Sequence, residues 1–371
     1  MNPATKKKIQ LLSRIPRFHT FYRLGMGQPA MPVNITISLL YSCNSRCMTC
    51  NVYEKRVKNF TVDEYDTTFA ALGEAPYWFT MSGGEPFLRK DIVEVCKAAY
   101  ERTKPGIINI PTNGSLFNIV PERVEAIVRS CPKTDIIVNL SLDEIGAEHD
   151  RIRGFPGNWE RAMKTYSALR ELSNQHSNFT IGIHTVISAF NAERFPEIYK
   201  ELIKMNPDSY ITEIAEERVE LGTIGQPITP DKDKYYAAID FLMGEMKKNR
   251  LVGLADVARS FRFEYYQMVK KFLVERKQII PCFAGVASCQ ISPDGDVWPC
   301  CIRADSMGNL REHDYDFKKI WNSYLAKKIR RSIKNRECAC PLANASYTNL
   351  LVNPKSLIKV SSRLVREKLH I

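Results

Sequence analysis

Six short runs rich in β-branched and aromatic residues recur between residues 34 and 215: 34–41 (NITISLLY), 77–83 (YWFTMSG), 106–114, 135–143, 180–188 and 208–215. Each predicts a strand. The segments between them place apolar residues at helical spacing, over 61–73, 89–103, 119–131, 158–174 and 192–206. Strands alternating with helices at this interval predict right-handed βαβ units on a parallel sheet. Six units rather than eight predict an α/β fold of the partial (β/α)6 TIM-like barrel kind, with chemistry gathered at the C-terminal strand ends. Beyond a linker-like stretch at 222–230, two helices are expected over 231–248 and 255–276, then a hairpin over 288–301 turning at Pro293-Asp294-Gly295. A basic helix over 316–334 and a helical C-terminus follow. The expected divisions are a basic amphipathic segment (1–31), the barrel (32–221), a helical linker region (222–280), a small cysteine-rich extension (281–345) and a basic C-terminal helix (346–371).

With 371 residues, 44% hydrophobic and 25% charged, the chain has material for two or three domains and excludes disordered or collagen-like classes. No apolar run approaches the ~20 residues that span a bilayer, and the N-terminal apolar stretch is too short for a signal peptide. A cytoplasmic location is expected, and it gives the eleven cysteines a meaning, because clustered Cys in a reducing compartment points to metal or redox chemistry. Three lie within 43–50 and six within 282–340. Cys96 and Cys131 stand apart and read as small buried hydrophobes.

The net charge of +12 is concentrated at the ends and in one helix. Residues 1–31 carry six Lys/Arg and no acid, 318–336 carry eight and no acid, and 355–371 carry five against Glu367. The remainder is net acidic, so nucleic acid is not expected as a partner.

Cys43, Cys47 and Cys50 follow the first strand. Three thiolates on one loop can ligate three irons of a [4Fe–4S] cube, leaving one iron open, as a catalytic rather than structural centre requires. A zinc knuckle would lack its fourth ligand, with no His nearby. The C-x3-C-x2-C pattern resembles the radical S-adenosylmethionine (SAM) superfamily, and further matches end the next strands. Gly83-Gly84-Glu85 looks like the family's GGE motif, Thr112-Asn113-Gly114 like its TNG-type loop, and Ser141 and Arg153 like the pair that grips the SAM carboxylate.

The resemblance implies that Gly83 and Gly84 make room for the SAM amine, that Glu85 helps hold it, that Asn113 in the TNG-type loop is cofactor-binding or part of a plain turn, and that the Arg153 fork binds the carboxylate. It implies reductive cleavage of SAM to a 5′-deoxyadenosyl radical that abstracts a hydrogen atom from an unactivated C–H. It also implies a low-potential reductant of flavodoxin or ferredoxin type as partner. Thr49 stands where many relatives carry an aromatic residue, which shifts the adenine contact to backbone or to Tyr53.

Cys282, Gly295 and Cys300 are spaced similarly to the first half of the auxiliary-cluster extension called SPASM, or Twitch in its shorter form. Cys338 and Cys340 would complete four ligands for one auxiliary [4Fe–4S] cluster, leaving Cys289 and Cys301 as spares. Adjacent Cys300 and Cys301 face opposite sides of a strand. A four-Cys zinc site is the alternative.

Glu213 and Asp143, at strand ends, are the candidate catalytic residues, to position substrate or move a proton. Glu213, Glu216, Glu217 and Arg218 could equally be solvated charges at a strand exit.

The basic termini, with Phe18, Phe21, Tyr22 and Leu24 at one end and Leu357, Val360, Leu364 and Val365 at the other, read as interfacial segments drawn to the inner face of an anionic membrane. They read equally as helices packing back on the barrel. The expected substrate is a lipid or lipid-linked sugar. The alternatives are a ribosomally made peptide, weakened by the lack of a winged-helix recognition segment before the barrel, or a soluble carbohydrate. A non-catalytic iron–sulfur electron carrier is disfavoured by the GGE motif and the open iron.

Overall fold

The computed structural model describes residues 3–25, 27–248 and 254–369. Helix α1 (Pro3–Leu24) leads into strands β1 (Asn34–Ser38), β2 (Trp78–Ser82), β3 (Ile107–Thr112), β4 (Asp135–Ser141), β5 (Phe179–Ile187) and β6 (Ser209–Ile214), each parallel to its sequence neighbour. Helices α2 (Val62–Leu72), α3 (Ile92–Thr103), α4 (Val120–Ser130), α5 (Gly146–Arg153), α6 (Asn158–Gln175) and α7 (Phe195–Ile203) connect them. The expected partial barrel is therefore present. The sequence pattern did not foresee α5, whose GAEHDRIR stretch has no apolar stripe.

Side-chain alternation explains how this barrel holds a site. Strands buried on both faces read as continuous apolar runs, whereas these alternate. Ile35, Ile37, Phe79, Met81, Ile108, Ile110, Ile136, Val138, Ile181 and Ile183 are buried in one continuous core. The intervening residues, among them Thr36, Thr80, Asn109, Asn139 and His184, line an internal cavity. Period-two geometry thus sends the oily half of each strand to the core and the polar half inward.

The hairpin expected at 288–301 forms, as β7 (Ser288–Ile291) and β8 (Val297–Trp298), and it extends the barrel sheet. β7 pairs in parallel with β1, giving an eight-stranded sheet in the order β6-β5-β4-β3-β2-β1-β7-β8. The cavity wall is completed by helices after β6. Following α8 (Lys232–Lys248), α9 (Leu254–Glu275) reaches β6 through Arg262, which donates to the Tyr210 carbonyl. The segment expected as one helix over 316–334 is two, α10 (Phe317–Trp321) and α11 (Tyr324–Lys334). Ser323 divides them as an N-cap, its Oγ accepting from Ala326 N at 3.0 Å. Helix α12 (Ala343–Val352) reaches β1 through Asn344, which donates to Thr36 Oγ1 at 2.8 Å, and α13 (Pro354–Leu369) ends the described chain.

Both basic ends pack back on the body. Helix α1 crosses the N-terminal strand ends: Phe18 is fully buried with Val33 and Phe283, and Lys7 donates to the Pro105 carbonyl. On α13 Val360 is buried and Arg363 lies over the Phe263 ring at 4.3 Å. Among the described residues no helix is long and apolar enough to cross a membrane.

Candidate active site

Cys43, Cys47 and Cys50 line a cavity of about 710 Å³ that runs through the barrel interior. Their loop is clamped from two sides by backbone. Arg46 N donates to the Arg153 carbonyl and Met48 N to the Ile152 carbonyl, seating the loop on the end of α5. Gly154 ends that helix at φ +57, and a Cβ there would lie 2.1 Å from the Arg46 oxygen. On the other side Gly84 N donates to the Leu40 carbonyl at 2.7 Å and Glu85 N to the Ser42 carbonyl at 3.1 Å. A Cβ on Gly83 would meet the Leu40 oxygen at 2.2 Å, and one on Gly84 the Ser42 oxygen at 2.1 Å. The two glycines are thus required by backbone-on-backbone approach of two strand-end loops. Both also line the cavity.

Glu85 is buried with its carboxylate fully engaged. One oxygen accepts from Phe87 N and Thr112 Oγ1, the other from Asn113 N at 2.8 Å. Asn113 in turn donates to Asn44 Oδ1 and Ser45 Oγ inside the cysteine loop. The GGE turn, the TNG turn and the cysteine loop therefore form one hydrogen-bonded unit, and Glu85 works as its internal lock. Burial raises the Glu85 pKa, against the three donors that favour its charged form.

Arg153 projects from α5 between the first thiols and β4. Its Nη1 donates to Asp143 Oδ2 at 2.9 Å, while its buried Nε has no partner. Asp143 is not on the cavity wall; its other oxygen accepts from Val186 N. Asp143, expected as a catalytic candidate, thus bonds Arg153 with one carboxylate oxygen and the β5 backbone with the other. Ser141 lines the cavity one β4 position pair away. The donor set fits SAM and an iron–sulfur cube: three soft thiols, and a buried guanidinium with a spare donor for a carboxylate. Burial pushes the Cys43 thiol up to about 11 and Cys50 to about 12, so their thiolates need a cationic ligand. Tyr53, the candidate adenine contact, carries Arg46 over its ring at 4.1 Å.

The extension brings Cys282, Cys300, Cys338 and Cys340 together. Cys300 and Cys340 pack on one small cluster with Leu342 and Ala345, and Cys282 and Cys338 lie within electrostatic reach of Cys300. Of the two spares, Cys301 packs in the same small cluster as Cys300 and Cys340. Cys289 sits in the core on β7, and Cys301 faces Arg218 and Glu220. Cys96 and Cys131 are buried in the barrel core as expected.

Between the two thiol groups lies a charged cluster. Glu213 lines the cavity 3.8 Å from His184 Nε2, and Arg218 bridges Glu213 and Glu216 at 3.4 Å each. Glu216 is buried, and burial pushes its carboxyl up to about 8. The solvated reading of these charges therefore fails for Glu213, Glu216 and Arg218; only Glu217 is exposed. Glu220, His184, Gln290 and Asn139 also reach this wall without having been singled out in the sequence. Gln290 donates to Glu220 Oε1 at 2.6 Å. Their inward register on β5, β7 and β4 was the signal that could have found His184, Gln290 and Asn139.

This partial barrel, with three thiols at its mouth and four more beside it, defines an iron–sulfur radical enzyme. Family models agree: residues 37–209 match the radical SAM superfamily and residues 282–341 the SPASM iron–sulfur cluster-binding domain. The chain carries a radical SAM domain followed by a SPASM iron–sulfur cluster-binding domain. Its cofactors are SAM, a [4Fe–4S] cluster and auxiliary iron–sulfur.

Curated relatives include the antilisterial bacteriocin subtilosin biosynthesis protein AlbA of Bacillus subtilis, 24% identical over 87% of this chain and 67% of that protein. The AdoMet-dependent heme synthase of Methanosarcina barkeri is 26% identical over 81% of this chain and 85% of its own. Among solved structures, SuiB of Streptococcus suis bound to S-adenosylmethionine superposes with a TM-score of 0.61 at 16% identity, covering 85% of this chain and 71% of that one. These structural likenesses establish the fold.

Proposed function

We propose that this enzyme abstracts a hydrogen atom from an unactivated C–H of an amphipathic substrate, a lipid or lipid-linked sugar, met at the inner membrane surface. When bound, SAM and its cluster supply the carbon-centred radical. Cys43, Cys47 and Cys50 would hold that cluster, and Arg153, oriented by Asp143, the SAM carboxylate with Ser141 beside it. Gly83, Gly84, Glu85 and Asn113 keep the loops around it rigid. Cys282, Cys300, Cys338 and Cys340 would hold the auxiliary cluster. Glu213, with His184 and Arg218, faces the substrate volume, where it can hold a polar group or accept a proton.

The observation that supports the substrate class is the mixed polar and apolar lining of the cavity. At mid-barrel its wall is polar, with Thr36, Thr80, Asn109 and Asn139. Its floor, where α1 crosses, brings apolar Leu11, Val33, Trp78, Ile107 and Leu351 beside the polar Asn34, Ser209 and Ser288. On α1, Ile9 and Leu12 flank Leu11 and stay 51% and 54% exposed among lysines, and Ile358 on α13 is 66% exposed. A polar head under the SAM site and a tail over the floor fit this arrangement, with basic helices against anionic lipid.

A second reading, a peptide substrate, is favoured by the names of two relatives: AlbA, and the mycofactocin maturase MftC of Mycobacterium tuberculosis, 24% identical over 86% of this chain and 77% of its own. The deciding experiment follows anaerobic 5′-deoxyadenosine formation by reconstituted enzyme given a membrane-lipid extract, a peptide fraction or a soluble small-molecule fraction. Stimulation by lipid is expected. Stimulation by the peptide fraction alone overturns the substrate class and leaves the radical chemistry standing.

A further inference from the structure

We propose that the outer face of α11 is the docking surface for a small acidic electron-carrier protein, placed to deliver an electron beside the auxiliary thiols. The inference rests on the radical SAM reading only in that such chemistry consumes one electron per SAM cleaved.

Helix α11 divides its faces sharply. Ala326, Ile329, Arg330 and Ile333 are buried. Tyr324, Lys327, Lys328, Arg331 and Lys334 recur at three- and four-residue spacing and are all exposed, Tyr324 at 82%. No acid occurs from residue 318 to 336, and exposed Lys318 and Arg336 widen the patch, while Lys319 pairs with exposed Asp314 at 3.4 Å at its edge. This is the cationic field, with an exposed aromatic at its end, that steers and anchors an acidic protein.

Position supplies the second argument. The helix ends four residues before Cys338. Gln278 ties the two together by donating to the carbonyls of both Ile333 and Cys338, and Arg303 donates to Ser332 Oγ and reaches Cys338 Sγ at 3.9 Å. A carrier seated on α11 therefore rests against the segment that presents one of the four thiols. A bilayer is the weaker occupant. The apolar stripe of α11 is spent in the core, leaving only Tyr324 and Leu325 at one end, too little to insert along the helix. The step is a single electron transfer. The carrier's reduced centre, a flavin hydroquinone going to semiquinone or a reduced iron–sulfur cluster going to its oxidised form, would give up one electron, and the iron–sulfur content of this chain would gain it, with no bond made or broken.

The test measures binding of the full chain to a flavodoxin and to a low-potential ferredoxin by titration calorimetry across a salt series. Anionic vesicles form a parallel arm. The charge-reversal variant K327E/K328E/R331E and the milder Tyr324→Ala are compared with wild type. Binding of at least one carrier is expected, weakening steeply with salt. The triple variant should raise Kd by about tenfold or more and Tyr324→Ala by less. Dithionite-driven SAM cleavage and thermal stability of both variants should match wild type, separating loss of docking from misfolding. Undetectable binding of either carrier at low salt overturns the proposal, as does equal binding by the triple variant or α11-dependent binding to vesicles alone.

Discussion

Arg153 points one nitrogen at Asp143, 2.9 Å away, and leaves its Nε buried without a partner. An unpaired buried donor is costly, on the order of 1–3 kcal/mol, unless a ligand completes it. The residue is thus set to receive a carboxylate, and Asp143 fixes its angle.

Replacing Arg153 by Lys removes the fork while keeping charge. The dissociation constant for SAM should rise about tenfold or more, about 1.4 kcal/mol or above, with a smaller rise for Asp143→Asn. Calorimetric titration of reconstituted protein with SAM checks this. Unchanged affinity in Arg153→Lys would remove Arg153 from the SAM site.

Gly84 is predicted to tolerate no side chain. In Gly84→Ala the new methyl group meets the Ser42 carbonyl at 2.1 Å, so either the GGE turn or the cysteine loop must shift. A loss of about 1–3 kcal/mol in urea unfolding is expected, with reduced iron uptake. Wild-type stability and iron content together would refute the close-approach role.

The extension is tied to the barrel by Arg311, which donates from Nε to Glu64 Oε1 at 2.6 Å. The Arg311 hydrogen bond, helped by Thr61 N and the Tyr315 hydroxyl, lowers the Glu64 pKa from 4.5 to about 2 despite partial burial. A carboxylate with a depressed folded pKa adds stability that is fully present above its unfolded pKa and lost as pH falls through the folded value. Glu64→Gln should therefore be destabilised by roughly 2 kcal/mol at pH 7, with the difference from wild type closing between about pH 4.5 and 2. Thermal unfolding of both proteins across that range measures it, and a difference independent of pH would exclude the ion pair as its source.

For the extension thiols, Ala at Cys282 and Cys300 together should lower iron per chain while leaving SAM cleavage measurable. Ala at Cys289 or Cys301 should leave iron unchanged. Iron analysis of the reconstituted variants reads this directly; loss of iron in Cys301→Ala but not in the double variant would move the ligand set.

How far the sequence reaches is visible in particular elements. The six βα units were legible because β-branched runs and turn residues punctuate the chain locally, and the cysteine loop and GGE turn because their spacing is local too. Pairing of β7 with β1 was not, since Ser288–Ile291 is short and buried on both faces, and its neighbour lies some 250 residues away. The break in the basic helix was written in Ser323, a good N-cap hidden by a continuous run of helix formers. Burial of Glu216 and Arg218 left no local trace, because a charged triplet looks solvated until the cavity that holds its counter-charges has formed.

The most direct measurement is anaerobic 5′-deoxyadenosine formation from SAM and dithionite by reconstituted wild type and by a variant with Ala at Cys43, Cys47 and Cys50. Wild type should release 5′-deoxyadenosine and the variant none above the no-enzyme blank, with the extension's iron still bound. Formation at the wild-type rate by the triple variant would contradict a radical SAM centre on this loop.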